Sequence, residues 1–146
     1  MQSLAMSRAE REAFLAGTHV GIVSIAEPHG GPLSVPVWYG YEPGGALRFV
    51  TGARSRKAAL IRQAGRVGFC VQSETAPYQY VSVEGPASLA QPDHERDVRA
   101  VAIRYLGKEM GEMYLAMMAA EPDPGGSVLV IVRPQRWYSA DYRKLG

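Results

Sequence analysis

The chain has very few of the residues that build disulfides and metal centres. Among its 146 residues there is one cysteine, Cys70, and three histidines, His19, His29 and His94. One cysteine excludes an internal disulfide, and no spacing among these four residues matches a metal-binding motif. Cys70 stands between two apolar residues of a predicted strand, which indicates a structural role. We therefore expect no bound metal and, since a lone thiol fits a reducing compartment, a cytoplasmic protein.

Long apolar runs and the common catalytic motifs are missing too. No apolar run approaches about 18 residues, so we expect no membrane-spanning segment, and the N-terminal sequence is charged where a signal peptide needs an apolar stretch. The sequence has no glycine fingerprint for a dinucleotide, no P-loop and no nucleophile elbow. With 16 basic and 14 acidic residues the net charge is only +2, which disfavours nucleic-acid binding. Acyl transfer, zinc hydrolysis and phosphoryl transfer thus have no visible catalytic residues.

What the chain does contain is a series of short strands with a few helices between them. Strands are predicted for residues 18–27, 33–41, 46–51, 66–74, 79–91, 127–132 and 136–142. Helices are predicted for residues 7–16 and 55–64, and a helical pair follows residue 93. Because helices do not alternate with strands, the order predicts an α+β fold: a β-barrel of mostly antiparallel strands with peripheral helices. The length suits one domain, residues 1–146.

Several details of this barrel follow from single residues. The short loops between the first three strands favour a meander, and Gly85-Pro86 predicts a break or bulge in the fifth strand. Pro36 must lie at an edge, a bulge or a gap of the second strand. Four methionines at helical spacing indicate packing against the barrel or another subunit. They are Met110, Met113, Met117 and Met118.

Basic residues are concentrated in the segment TGARSRKAALIRQAGRV, residues 51–67. Five of the sixteen basic residues lie here: Arg54, Arg56, Lys57, Arg62 and Arg66. Thr51 ends a strand and Ser55 precedes a helix, whose free amide hydrogens and dipole favour an anion. Arginine forks and a lysine ammonium suit phosphate, whereas cations at this end of an isolated helix are unfavourable. A phosphate site at residues 54–57 and a solvated helix face both remain open. The last two arginines, a turn or more away, are interpreted as solvated or paired.

Aromatic and amide side chains lie near several strand ends. The strand with Pro36, Val37 and Trp38 can flank the basic helix, and its proline leaves backbone groups free to bind the edge of a flat ring. Packing in the core is the alternative for these residues. Gln79 and Trp137 lie near other strand ends. Aromatic side chains without redox or acid–base partners suit a cofactor that carries the chemistry itself, and no catalytic residue is assigned.

Three segments, taken together, carry a family resemblance. They are VPVWYGYEPGGALRFVT, RSRKAALIRQAGRVGFCV and PYQYVSVEGPASL, at residues 35–51, 54–71 and 77–89. In order and spacing the chain resembles the pyridoxamine 5′-phosphate oxidase-like flavin and deazaflavin oxidoreductases, over nearly its whole length. The resemblance implies the FMN-binding split β-barrel type of fold. It also implies a homodimer with two cofactor sites at the subunit interface. We expect a small-molecule substrate and, from the small net charge and the lack of a long apolar run, no nucleic-acid or membrane partner.

The same resemblance implies roles for individual residues. Thr51 and the Arg54, Ser55, Arg56 and Lys57 segment would hold the cofactor phosphate. The strand at residues 36–38 would lie along the ring system. Gln79 would be a polar contact near the cofactor, and Trp137 would approach the site from the other subunit.

Two cofactors occur in the family that the chain resembles, the deazaflavin coenzyme F420 and FMN. The sequence lacks the C-terminal substrate-binding extension of the vitamin B6 enzymes, and its VPVWY strand and RSRK–VEG spacing look more like the deazaflavin-using subfamily. We therefore expect an oxidoreductase that uses reduced F420 to transfer a hydride to a small conjugated substrate: an enone, a quinone or a tetrapyrrole. The alternatives are an FMN-dependent oxidase or reductase, and a flavin- or haem-binding protein without turnover.

Overall fold

Seven strands form one curled sheet in the computed structural model, which describes residues 3–146. The strands are β1 (Gly21–Ile25), β2 (Leu33–Val37), β3 (Leu47–Gly52), β4 (Arg66–Gln72), β5 (Gln79–Ala90), β6 (Ser127–Val132) and β7 (Arg136–Asp141). The α-helices are α1 (Arg8–Leu15), α2 (Arg56–Ala64), α3 (Ala100–Leu106) and α4 (Lys108–Ala120). A π-helical turn, His94–Arg99, leads into α3, and a 3-10 turn, Tyr142–Lys144, follows β7. All strand pairs are antiparallel, which confirms the predicted α+β split barrel with peripheral helices.

Strand β5 joins the two halves of the barrel. Through Pro86 it pairs with β4, and from Ala87 onward it pairs with β6. Of the break or bulge predicted at Gly85-Pro86, the break is wrong, because the strand continues through both residues and changes its partner there. The carbonyl of Pro86 accepts the amide hydrogen of Arg133 at 3.0 Å. A proline fits this position, where β5 passes from β4 to β6. Its carbonyl accepts a hydrogen bond there, and the backbone N–H that a proline lacks is not needed.

The predicted meander is right for the first two strands and wrong for the third. Strands β1 and β2 pair from Gly21↔Val37 to Ile25↔Leu33, but β3 lies at the opposite edge of the sheet and pairs with β6. One bridge, Gly40↔Arg48, links the β2–β3 connection to β3. Alternate residues of β3 are buried, and the pairing with β6 places Leu47 and Phe49 in the same core as Val130 and Val132. Pro36 lies on the edge strand β2, one of its predicted positions.

The helix α1 begins at a capping box formed by Ser7 and Glu10. The amide hydrogen of Glu10 bonds the Ser7 hydroxyl at 3.2 Å, and the amide hydrogen of Ser7 bonds the Glu10 carboxylate at 2.8 Å. Lys144 donates to the same carboxylate at 2.9 Å. The hydrogen bond from Ser7, followed by that from Lys144, lowers the pKa of Glu10 to about 2. The start of α1 and the end of the chain are thereby held together.

The barrel core is centred on two aromatic rings. Tyr39 and Phe69 are fully buried and meet edge to face, with 5.1 Å between ring centroids. The Tyr39 hydroxyl donates to the carbonyl of Leu15 at 2.6 Å, and burial raises the pKa of this phenol. The hydrogen bond fixes α1 over one end of the barrel, since a buried hydroxyl needs a partner.

Three of the four helical methionines do not pack on the barrel. Met110, Met113 and Met117 are 60%, 67% and 64% exposed on α4. The half of the prediction that placed them against the barrel is wrong for these three residues, and contact with another subunit stays a prediction. Within residues 3–146, no helix combines the length and apolar character that crossing a bilayer requires.

Candidate cofactor-binding site

A cavity of about 660 Å³ lies between the strands β2 and β3 on one side and the helices that follow residue 93 on the other. The loop before β6 contributes Pro122, Asp123 and Gly126 to its lining. Its volume falls within the range of small-molecule and cofactor pockets. One part of the wall is aromatic and another part carries a cation, so the cavity suits a ligand with a flat ring and an anionic group.

Five of the ten residues predicted to bind a cofactor line this one cavity. They are Pro36, Val37, Trp38, Thr51 and Lys57. The proline-bearing strand and the beginning of α2 therefore border a common space, although β2 and β3 lie at opposite edges of the sheet. The curl of the sheet and the helical cover bring the two segments together.

The aromatic part of the wall is held by α3 and α4. Trp38 stacks on Tyr105 with 5.2 Å between centroids and 10° between ring planes, and its centroid lies 5.2 Å from that of Tyr114. The Tyr105 hydroxyl donates to the carbonyl of His19 at 2.6 Å and accepts from the amide of Tyr39 at 3.2 Å. Trp38 thus packs on other rings and also lines the cavity. The two interpretations of this residue are compatible.

The cationic part of the wall lies at the start of α2. Ser55 caps the helix: its hydroxyl accepts from the amide of Ala58 at 3.1 Å and lies 3.2 Å from the Thr51 hydroxyl. The first turn of α2 contains no acidic residue. None of the ion pairs within residues 3–146 includes Lys57. The Lys57 ammonium group, in the first turn of α2, is therefore available to an anion in the cavity.

The other cations of this segment have different surroundings, and neither they nor Ser55 line the cavity. Arg56 pairs with Glu27. Arg54 packs against Gly125, where an added Cβ would lie 2.7 Å from the Arg54 Nε. Arg62 donates to a backbone carbonyl at 3.1 Å. Arg66 pairs with a carboxylate at 3.1 Å, so the interpretation of these last two arginines as solvated or paired is right.

Gln79 and Trp137 lie outside the cavity of this chain. Gln79 begins β5 opposite Asp141. Trp137 is half-buried against the core, with the Arg11 guanidinium 4.6 Å from its ring centroid. Their predicted contacts with a cofactor require a second subunit and stay predictions.

Sequence reasoning missed the most ordered polar contact in the cavity wall. Arg48 on β3 donates to both carboxylate oxygens of Asp97, at 3.0 and 3.1 Å, and the amide of Asp93 donates to the same carboxylate at 2.8 Å. Burial by itself would raise the pKa of Asp97, but the hydrogen bonds from Arg48 and Asp93 lower it below its usual range. The strand alternation could have placed Arg48 on the face opposite Leu47 and Phe49. Nothing local identifies a partner 49 residues away.

The comparison with known families decides what kind of protein this is. The sequence profile of the pyridoxamine 5′-phosphate oxidase family matches residues 7–141. The chain belongs to this family. Family membership and the curled antiparallel sheet together establish a flavin-type split-barrel fold for this pyridoxamine 5′-phosphate oxidase-like chain. No curated protein gives a significant sequence match.

Solved structures agree with this assignment. The conserved hypothetical protein Rv2991 from Mycobacterium tuberculosis is 28% identical, with a TM-score of 0.79 over 100% of this chain and 91% of that one. An F420 reductase is 22% identical, with a TM-score of 0.61 over 87% and 94% of the two chains. An FAD-binding protein from Mesorhizobium loti is 18% identical, with a TM-score of 0.62 over 92% and 93%. The last two similarities support the shared fold alone.

Proposed function

We propose that this member of the pyridoxamine 5′-phosphate oxidase family is an oxidoreductase that uses reduced coenzyme F420. Its substrate would be a small conjugated molecule such as an enone, a quinone or a tetrapyrrole. The observation that carries the proposal is the single cavity that Lys57 and Thr51 border at one place and Pro36, Val37 and Trp38 at another. A redox cofactor that combines a phosphate with a flat ring matches both parts of that wall.

The residues present fit such a group. The Lys57 ammonium and the Thr51 hydroxyl would hold the phosphate, and the Trp38 ring, fixed by Tyr105, would form a wall for the flat ring. When bound, the deazaflavin would supply hydride from its central ring. The chain would orient the ring and exclude water from it. Arg48 and Asp97 would keep the helical wall in place over β3.

The choice between cofactors depends on weaker observations. The VPVWY strand and the RSRK–VEG spacing favour the deazaflavin, and an F420 reductase is among the structures that share the fold. The family itself favours an ordinary flavin, and an FAD-binding protein shares the fold, so FMN is the second candidate. Both F420 and FMN carry a phosphate, and the cationic part of the cavity suits either.

The sheet surface supports a homodimer with the site at the subunit interface. One row of outward-facing residues crosses five paired strands. In order it contains Pro36, Ile22, Cys70, Ser82 and Tyr138. The row has no charged side chain, and Ile22 and Tyr138 are 39% and 54% exposed. Since Pro36 also lines the cavity, a second copy that covered this row would lie beside the cavity.

Titration of the purified chain with F420 and FMN tests the proposal. We expect F420 to bind with a Kd below about 1 mM, a free energy of roughly −4 kcal/mol, and more tightly than FMN. Lys57→Ala should weaken binding about 10- to 100-fold, because a charge-assisted hydrogen bond is removed. Lys108→Ala, on α4 and outside the cavity, is the matched control and should bind as the wild type does. Tighter binding of FMN would favour the second candidate. Failure of both cofactors to bind, or equal affinities in the two lysine variants, would contradict the proposed site.

The substitution Ser55→Asp distinguishes the role of Ser55 in capping α2 from the effect of its position beside the proposed phosphate site. Aspartate caps a helix as well as serine does, so the free energy of unfolding should change by less than about 0.5 kcal/mol. The new carboxylate, however, adds a negative charge next to Thr51 and should lower cofactor affinity about tenfold. Chemical denaturation and cofactor titration measure the two effects. A variant that binds both cofactors as the wild type does would place the phosphate elsewhere.

A further inference from the structure

A second cleft, of about 470 Å³, adjoins the cavity, and its charged residues are mostly arginines. Arg48, Arg96, Arg104 and Arg133 line it, together with the carboxylates of Glu42 and Asp97. Its lining therefore has a formal excess of two positive charges. Arg48 and Asp97 line the cavity as well, so the pair forms a wall that the two spaces share. The cleft itself includes none of the residues predicted to bind a cofactor.

The four arginines differ in how their charges are compensated. Asp97 neutralises Arg48 through two hydrogen bonds. Arg104 donates to the carbonyls of Ala16 and Gly17 at 2.7 and 2.8 Å, which fixes its guanidinium without neutralising it.

Arg96 and Arg133 are not engaged in this way. Within residues 3–146 neither side chain takes part in an ion pair. The hydrogen bonds described for Arg96 and Arg133 come from their backbone amides. Their guanidinium donors therefore remain available in the cleft.

We propose that this cleft is a second binding site, which takes a small dianion of the carboxylate or phosphate class. Guanidinium groups present paired donors that match the oxygens of a carboxylate or a phosphate. Like charges around a concave surface also raise the local potential and attract an anion. Arg96 comes from the π-helical turn and Arg133 follows β6, so the anion would link the helical cover to the sheet.

Isothermal titration of the full chain at low ionic strength, in separate runs with inorganic phosphate and with malonate, tests the proposal. Both runs are repeated in Lys57→Ala, which removes the cavity's own cation. We expect at least one anion to bind Lys57→Ala with a Kd below about 10 mM. Whichever of the two, inorganic phosphate or malonate, binds more tightly identifies whether the cleft prefers a phosphate or a carboxylate.

The further change Arg96→Ala/Arg133→Ala, made in Lys57→Ala, should lower that affinity at least tenfold. The control Arg8→Ala/Arg136→Ala, in the same background, changes the net charge equally outside the cleft and should leave affinity within about twofold. In the wild type, NMR should show the Nε signals of Arg96 and Arg133 shifting as anion is added. Absence of anion binding in Lys57→Ala, equal affinities in the two double variants, or unmoved Nε signals would overturn the proposal. The test uses no redox cofactor, so its outcome is independent of the proposed function.

Discussion

Replacing Gly85 with alanine is expected to lower the free energy of unfolding by more than about 3 kcal/mol, or to prevent folding altogether. The added Cβ would lie 1.9 Å from the carbonyl oxygen of Arg133 and 2.9 Å from its carbonyl carbon. Both are backbone atoms of the connection between β6 and β7. That connection is held by hydrogen bonds from the amide of Arg133 to Pro86, at 3.0 Å, and from the amide of Gln135 to Glu84, at 2.9 Å. It can move away only by breaking those bonds.

Urea unfolding followed by tryptophan fluorescence measures the loss. Gly68→Ala is a matched control on the neighbouring strand β4, because its added Cβ would have 3.8 Å to the nearest atom, an ordinary contact distance. We expect the control to change stability by less than about 1 kcal/mol. If Gly85→Ala unfolded at the same urea concentration as Gly68→Ala, the close approach at the change of strand partner would be refuted.

The second large effect concerns Asp97. Its side chain is 3% exposed, and replacing it with asparagine leaves the Arg48 guanidinium partly buried without a counter-charge. Breaking a buried ion pair in this way costs about 3 kcal/mol or more. Glu84→Gln is the matched control: its pair with Arg66, with side chains 30% and 49% exposed, should contribute less than about 1 kcal/mol.

The pH dependence of this effect has a definite sign. Burial alone would raise the pKa of Asp97, but the hydrogen bonds from Arg48 and Asp93 lower it in the folded state. Its contribution is therefore complete above the unfolded pKa, near 3.9, and is lost as the pH falls through the lower folded pKa. The gap in stability between wild type and Asp97→Asn should be full at pH 7 and should shrink below about pH 4. Urea unfolding of wild type and Asp97→Asn at pH 7 and below about pH 4 measures this difference in stability. An equal difference at the two pH values would show that ionised Asp97 is not its source.

The position of the candidate site was partly predictable, because the two segments that border its cavity each have a local signal. Lys57 follows a strand and enters a capped helix, and Pro36 interrupts a strand beside two aromatic residues. Each of these two patterns, taken by itself, already indicates a contact with a ligand. That both border one cavity depends on the curl of the sheet, since β2 and β3 lie at opposite edges.

The amino-acid sequence by itself determined the local elements of this protein. The capping box at Ser7 and the left-handed cap at Gly65, with φ of +70°, depend on a residue's own backbone preferences or on neighbours within about four positions. The interactions that stabilise these caps form within a short segment and do not require the closed barrel. A local pattern of residues can therefore predict them.

Only the tertiary structure decided which distant segments meet. It paired β3 with β6 instead of β2, joined Arg48 to Asp97 across 49 positions, and separated Lys57, which lines the cavity, from Arg56, which pairs with Glu27. Strand pairing and ion-pair choice are set by how the whole chain buries its apolar residues and satisfies its buried charges. That total is a property of the closed barrel, and no short stretch of sequence contains it.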